Sequence, residues 1–350
     1  MEFKLGQHPI GDGHPVFFIA EAGVNHNGQI ELGRQLVDAS AAAGADAVKF
    51  QTFVTENLST RKAPKSTYHI ETTGDDKRQT WFELLKTQEM SRQMHVELIA
   101  HCRAKGIMFL STPYDFESAD LLFELGVPAF KMASTDTSNL PLIRHIAKMK
   151  RPLILSTAMC EQGEVEQAVA AARGEGLAEI VVLQCTGNYP SALKDSNLRV
   201  IPTFRRALNC LIGYSDHTVE MINPVAAVAL GACVYEKHFT LDKSLPGPDH
   251  RLSLDPKELT ETIRVIRQTE AALGAAEKRV LPAEQENRQK LRKSLVAATS
   301  LRKGETLTRE MVAIKRPATG IAPTELERFL GRRLAEDVSE DTVLVPAMFL

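Results

Sequence analysis

Short runs of β-branched and aromatic residues, each bounded by Gly, Pro or polar positions, alternate along the chain with longer segments whose apolar residues recur at helical spacing. The first kind predicts buried strands at Val16–Ala20, Ala47–Thr52, Ile107–Leu110, Ala129–Met132, Leu153–Leu155, Ile180–Gln184, Leu211–Tyr214 and Cys233–Lys237. The second predicts helices at Glu31–Ala43, which stops at Gly44, and at Arg92–Lys105, Phe116–Leu125, Leu140–Lys148, Glu164–Arg173 and Pro256–Leu273. Eight such βα units in about 275 residues predict an α/β fold, a (β/α)8 TIM barrel over residues 1–275. A doubly wound open sheet is the alternative, but no GxGxxG follows the first strand.

After Leu273 the pattern changes. Residues 276–293 are charged, helix-prone and poor in aromatics, as in a linker. Residues 294–350 hold short strand-like pieces around LRKGETLT and an amphipathic TELERFLG, which predicts a second, small β-rich domain. Under 60 residues leave it little core of its own, so docking is expected to stabilise it.

Composition narrows the picture. The 350 residues are 43% hydrophobic and 25% charged, with a formal net charge of −2, which is ordinary for a folded globular protein. No concentrated Lys/Arg run marks a nucleic-acid partner, and a small-molecule partner is expected instead. The longest apolar stretch, Pro224–Val234, is too short for a membrane span, and the N-terminus lacks a basic region followed by an apolar one. Cys102, Cys160, Cys185, Cys210 and Cys233 are widely spaced, which predicts reduced core thiols in a cytoplasmic protein.

In a (β/α)8 barrel the chemistry sits at the C-terminal strand ends. Strand one ends in Glu21; strand two carries Lys49 and Gln51, two apart and so on one face. The next ends supply Ser111 and Thr112, Lys131 and Ser134, Ser156 and Thr157, then Thr186, Asn188 and Tyr189. Strand seven runs into Ser215-Asp216-His217, and strand eight holds Glu236 and His238 on one face. Lysines among hydroxyl donors suit a phosphate or carboxylate, and two histidines on adjacent strands can share a metal.

Each residue alone also has an ordinary explanation. Rim lysines are commonly solvated, the 21-residue separation of His217 and His238 matches no local zinc signature, and Glu236 can pair with Lys237. Hydroxyls in βα loops cap helices, while Tyr189 and Met159 pack. Convergence favours a site: the strands would aim all these groups at one mouth.

The motifs EAGVNHNG (21–28), VKFQT (48–52), STPYD (111–115), FKMAS (130–134), LSTAM (155–159), QCTGNYP (184–190), GYSDHT (213–218), EKHFT (236–240) and PGPDH (246–250) resemble the sialic acid synthase family. KRPATG (315–320) resembles that family's C-terminal antifreeze-like, SAF-type domain, so the likeness spans nearly the whole chain. The resemblance implies condensation of phosphoenolpyruvate with N-acetylmannosamine or a related N-acyl sugar to a nine-carbon 2-keto acid. It also implies a divalent metal: manganese first, magnesium or cobalt as alternatives. Carried onto this chain, it implies metal ligation by His217 and His238 and phosphoenolpyruvate binding by Lys49, Thr112, Lys131, Ser134, Ser156 and Ser215. Glu21 and Glu236 match acidic positions near the reacting carbons. Gln51, Asp136 and Tyr189 match positions contacting the sugar. Arg316 matches an arginine that one subunit inserts into its partner's barrel, which implies a domain-swapped homodimer.

Many bacterial N-acetylneuraminate synthases read SGE and CTNxYP where this chain has Ser134-Thr135-Asp136 and Cys185-Thr186-Gly187-Asn188-Tyr189-Pro190. These departures bear on the acceptor, so legionaminic acid, pseudaminic acid and 6-phosphorylated-sugar synthases are alternatives. Two readings from other classes remain. One is a Schiff-base aldolase with Lys49 or Lys131 as nucleophile. The other is an ice binder, which the many charges in 294–350 disfavour.

Overall fold

The computed structural model describes residues 1–73 and 79–350. The strands are β1 (Glu2–Leu5), β2 (His8–Gly11), β3 (Phe17–Gly23), β4 (Ala47–Thr52), β5 (Met108–Pro113), β6 (Phe130–Met132), β7 (Leu153–Ser156), β8 (Ile180–Cys185), β9 (Leu211–Asp216), β10 (Val234–His238), β11 (Ser294–Ala297) and β12 (Val312–Lys315). β3 to β10 form one eight-stranded sheet in the order β5-β4-β3-β10-β9-β8-β7-β6, with every named pair parallel. Its edge strands β5 and β6 pack side by side, so the sheet curls into the expected barrel.

Alternation along each strand sorts the core into two layers. Residues such as Phe18, Val48, Phe109, Leu155, Val182 and Ile212 pack outward against the helices. Phe17, Ile19, Ala47, Leu110, Ile154, Val181, Leu183 and Val234 fill the lower barrel. Gly213 belongs to that tight interior: a Cβ there would stand 2.4 Å from the carbonyl oxygen of Val234 and 2.5 Å from Cδ2 of Leu183.

The strand pattern did not predict β1 and β2. They form an antiparallel hairpin whose Leu5 and Ile10 join the same inner apolar cluster, closing the barrel at its N-terminal end. Only three of its eight residues, Leu5, Ile10 and Gly11, are buried, so its sequence lacks a strand-like apolar run.

Local signals position the helices. Ser91 caps Arg92–Lys105, which Gly106 ends at φ 70°. Asp115 caps Phe116–Glu124 and also accepts from Val54 N–H at 2.9 Å, tying two loops at the mouth together. After β3, Asn27 and Gly28 turn the chain with φ 48° and 72°. A Cβ at Gly28 would lie 2.6 Å from Thr87 O. In this turn Gly28 N–H donates to His26 Nδ1 at 3.0 Å, which leaves the ring proton on Nε2, buried without a partner among the described residues.

The chain divides into two units, 1–274 and 275–350. The stretch read as a linker belongs to the second: it forms the helix Gln285–Leu291, and Gln289 O accepts from Ala318 N–H at 2.9 Å. Here β11 and β12 pair antiparallel over a core that includes Leu295, Leu301, Leu307, Ile321, Phe329, Leu334 and Leu344. Among the described residues no helix is long and apolar enough to cross a membrane. None of the five cysteines is paired; all but the half-buried Cys160 are buried.

Candidate active site

Strand register brings the predicted residues to one mouth. Glu21 lies beside Lys49 and His238 in the ladders, Gln51 beside Thr112, and Ser215 beside Glu236. Together they line a cavity of about 520 Å³ at the C-terminal ends of the barrel strands. Its walls contain Glu21, Lys49, Gln51, Thr112, Lys131, Ser134, Ser156, Tyr189, Ser215, His217, Glu236 and His238.

The floor is an ion network. Lys49 Nζ lies 2.5 Å from Glu21 Oε2, 3.7 Å from Glu236 Oε2 and 3.2 Å from Thr112 Oγ1. Lys131 Nζ lies 3.6 Å from Glu236 Oε1 and donates to Ser156 Oγ at 2.6 Å and to Met132 O at 3.0 Å. Ser215 donates to Glu236 at 3.0 Å, and Gln51 donates to Glu21 at 3.3 Å. Glu236 thus faces inward to both lysines, while its neighbour Lys237 pairs outward with Asp216.

Burial and neighbours shift these groups in opposite directions. Burial raises the Glu21 carboxyl to about 7 despite Lys49, whereas Glu236, buried as well, is held low by Lys131 and Lys49. Burial works against the charge of both lysines. It prevails at Lys131, which is lowered, but Glu21 and Glu236 keep Lys49 high.

Beside the ions stand two imidazoles. The His217 and His238 rings have centroids 5.4 Å apart, with Tyr189 4.2 Å from the first and 5.9 Å from the second. His217 Nδ1 donates to Thr186 O at 2.7 Å, leaving Nε2 as the lone-pair nitrogen. His238 is buried, its basicity driven well below normal by burial and by His217. Its Nδ1 has no hydrogen-bond partner among the described residues. Burial works against the charge of His217, but Cys185 and the Thr186 carbonyl raise its basicity. In their neutral forms the two rings offer lone pairs that fit a divalent cation. The described residues contain no group of three or more His, Cys, Asp or Glu positioned for one metal, so further ligands would come from substrate or water.

Among the barrel residues to which the resemblance assigns a role, Asp136 stays outside the cavity wall, as do the strand-end residues Ser111, Thr157, Thr186, Asn188 and Asp216. The Asp136 carboxylate accepts from Asn139 Nδ2 at 3.0 Å and Thr135 Oγ1 at 3.2 Å, and Thr135 lines the cavity instead. The Ser134–Asp136 turn is 3-10, so consecutive side chains diverge by about 120°. The Ser134 hydroxyl accepts from Ala158 N–H at 2.9 Å. Arg316 is an exposed residue of the second unit, at a cis bond to Pro317.

The strand-end reading missed Tyr114, Cys185, Gln88 and Asp249 in the wall, together with Leu58, Trp81 and Leu85 from the connection after β4. Asp249 lies 3.9 Å from His238 Nδ1, and burial raises its carboxyl to about 6. The STPYD and PGPDH motifs contained Tyr114 and Asp249; no periodic signal marked Gln88.

Fold and mouth together define a (β/α)8 protein with buried cations, carboxylates and imidazoles converging on one small-molecule cavity. The chain belongs to the NeuB family, whose model matches residues 36–278, and a SAF domain matches residues 292–350. It is similar to N,N'-diacetyllegionaminic acid synthase of Campylobacter jejuni, 43% identical over 328 residues, covering 93% of this chain and 98% of that protein. It is also similar to N-acetylneuraminate-9-phosphate synthase of Mus musculus, 36% identical, covering 96% of this chain and 93% of that protein. The crystal structure of the spore coat polysaccharide biosynthesis protein spsE of Bacillus subtilis matches with a TM-score of 0.68 at 36% identity, covering 100% of this chain and 99% of that one.

Proposed function

We propose that this chain condenses phosphoenolpyruvate with an N-acyl amino sugar and water, giving a nine-carbon 2-keto acid and phosphate. The observation that carries this reading is the placement of Lys49 and Lys131, both buried, in the same cavity as His217 and His238. Two cations ringed by Thr112, Ser134, Ser156 and Ser215 suit the phosphate and carboxylate of phosphoenolpyruvate. Similarity to the Campylobacter enzyme supports an acceptor with two acetamido groups, of the legionaminic type, ahead of N-acetylmannosamine.

His217 and His238 would hold a divalent cation, manganese first, which supplies Lewis-acid polarisation of the open-chain aldehyde. Lys49 and Lys131 fix the enol phosphate so that its C3 faces the aldehyde carbon. As the C–C bond forms, C2 becomes electron-poor and water adds there. Glu21 takes the proton of that water, with Glu236 the second candidate. Phosphate then leaves with cleavage of C–O. Gln51 and Tyr189 face the sugar, and Arg316 reaches it from the partner in a domain-swapped homodimer.

The test is a panel of N-acyl hexoses incubated with Mn²⁺ and phosphoenolpyruvate labelled with ¹⁸O at the bridging oxygen. Mass spectrometry should find a nonulosonate, with the label in inorganic phosphate. Label retained in the keto acid would indicate attack at phosphorus and overturn the mechanism; no product from any acceptor would overturn the reading.

A further inference from the structure

The cavity has two chemically different parts. Its floor, built from strand ends, carries the ions and imidazoles. A second part of the wall comes from the connection after β4, where Leu58, Trp81 and Leu85 form an apolar cluster with Val24, Phe53 and Tyr114. Gln88 stands in this wall, 3% exposed, just after the helix Trp81–Lys86. Its backbone N–H is tied to Leu85 O at 2.8 Å, which fixes the turn. Its side-chain Oε1 is buried and accepts no hydrogen bond among the described residues.

We infer that Gln88 is a specificity residue whose amide oxygen accepts the N–H of an acylamino group on the far end of the acceptor sugar, while Leu58, Trp81 and Leu85 receive the acyl methyl. The inference rests on the synthase reading above. An unpaired buried amide oxygen is costly, and a ligand donor would relieve that cost. A hydroxyl could donate to the oxygen, but it would leave the apolar residues without a counterpart; an acylamino group supplies both the donor and the methyl. The position selects the far end. The reacting aldehyde belongs beside the histidines on the strand ends, whereas Gln88 comes from outside the barrel strands. The acylamino group next to the aldehyde therefore stays near the floor, and the distal one meets Gln88.

The test compares the full-length chain with Gln88→Met, which keeps length but loses the acceptor oxygen, and Gln88→Glu, which keeps acceptor oxygens. Each is assayed with Mn²⁺ and phosphoenolpyruvate against N-acetylmannosamine and against a 2,4-diacetamido-2,4,6-trideoxyhexose. The wild type should prefer the diacetamido sugar. Gln88→Met should raise KM for that sugar by roughly 10- to 100-fold. KM for phosphoenolpyruvate and the constants for N-acetylmannosamine should stay within about twofold. Gln88→Glu should recover part of the loss. Unchanged discrimination in Gln88→Met, or equal losses on both sugars with a lowered melting temperature, would overturn the inference and leave the synthase reading standing. A wild type that turns over neither sugar would overturn the inference, and the synthase reading falls with it only if no acceptor of the wider N-acyl hexose panel gives product.

Discussion

Nζ of Lys49 stands 2.5 Å from Oε2 of Glu21, and both side chains are almost completely buried. If Lys49 holds phosphoenolpyruvate, as proposed, the carboxylate occupies the cation that this substrate needs, and the two compete for Lys49. Removing the charge of Glu21 should therefore not weaken phosphoenolpyruvate binding. Glu21→Gln should lower kcat by roughly 100-fold or more, with KM for phosphoenolpyruvate unchanged or reduced. A base must be ionised to act, and burial raises this one to about 7. The kcat/KM profile should rise through neutral pH in the wild type, and that limb should disappear in Glu21→Gln.

Lys49→Met makes the opposite change. It strands two buried carboxylates, Glu21 and Glu236, whose ionised forms lose a partner. Loss of one side of a buried pair costs ~3–5 kcal/mol. Urea unfolding at pH 8 should show a loss of that order, together with loss of phosphoenolpyruvate binding by calorimetry.

Much of this arrangement was legible in the sequence. Barrel strands are covered on both faces, so each appears as a near-continuous apolar string, and the charges that interrupt these strings at Lys49, Lys131 and Glu236 mark the site. Two-residue spacing paired Lys49 with Gln51 and Glu236 with His238, and the structure places all four in the cavity wall. Spacing does not say how far a loop reaches. Gln88, Asp249 and Trp81 arrive from connections without periodicity, and the direction of Asp136 is set by a single tight turn.

Removal of metal tests the imidazole pair. Chelation followed by gel filtration should abolish turnover, and Mn²⁺ should restore it. His238→Ala should remain inactive at any Mn²⁺ concentration that rescues the stripped wild type. Full activity of the stripped protein would rule out a metal on His217 and His238.

Arg316 offers a planar, fixed fork of donors. If it acts across a homodimer, inactive Arg316→Ala and inactive His238→Ala subunits should complement each other after exchange, since one hybrid site receives an intact barrel and an intact arginine. Heterodimers without recovered activity would argue against action in trans.

His26 gives stability a pH dependence. Burial lowers its ring from 6.5 to about 4. Between these values the unfolded chain binds the proton more readily than the folded one, so the stabilisation is complete above 6.5 and is lost as pH falls towards 4. The loss should be about 2 kcal/mol between pH 7.5 and pH 5. His250, also lowered to about 4 by burial, adds a term of the same sign. Urea midpoints measured across this range should fall less steeply in His26→Gln than in the wild type.

The β1–β2 hairpin turns the barrel into a vessel with one doorway. Leu5 and Ile10 make its base apolar, which disfavours passage of an anion on that side. On the proposed reading, an anion seated on Lys49 and Lys131 would lie deeper than a sugar held by Tyr189 and the rim, so traffic would be sequential: the enol phosphate would enter first, the sugar would close over it, and phosphate would escape only once the sugar-derived product had moved aside. Product inhibition should carry that signature, with the keto acid trapping phosphate behind it.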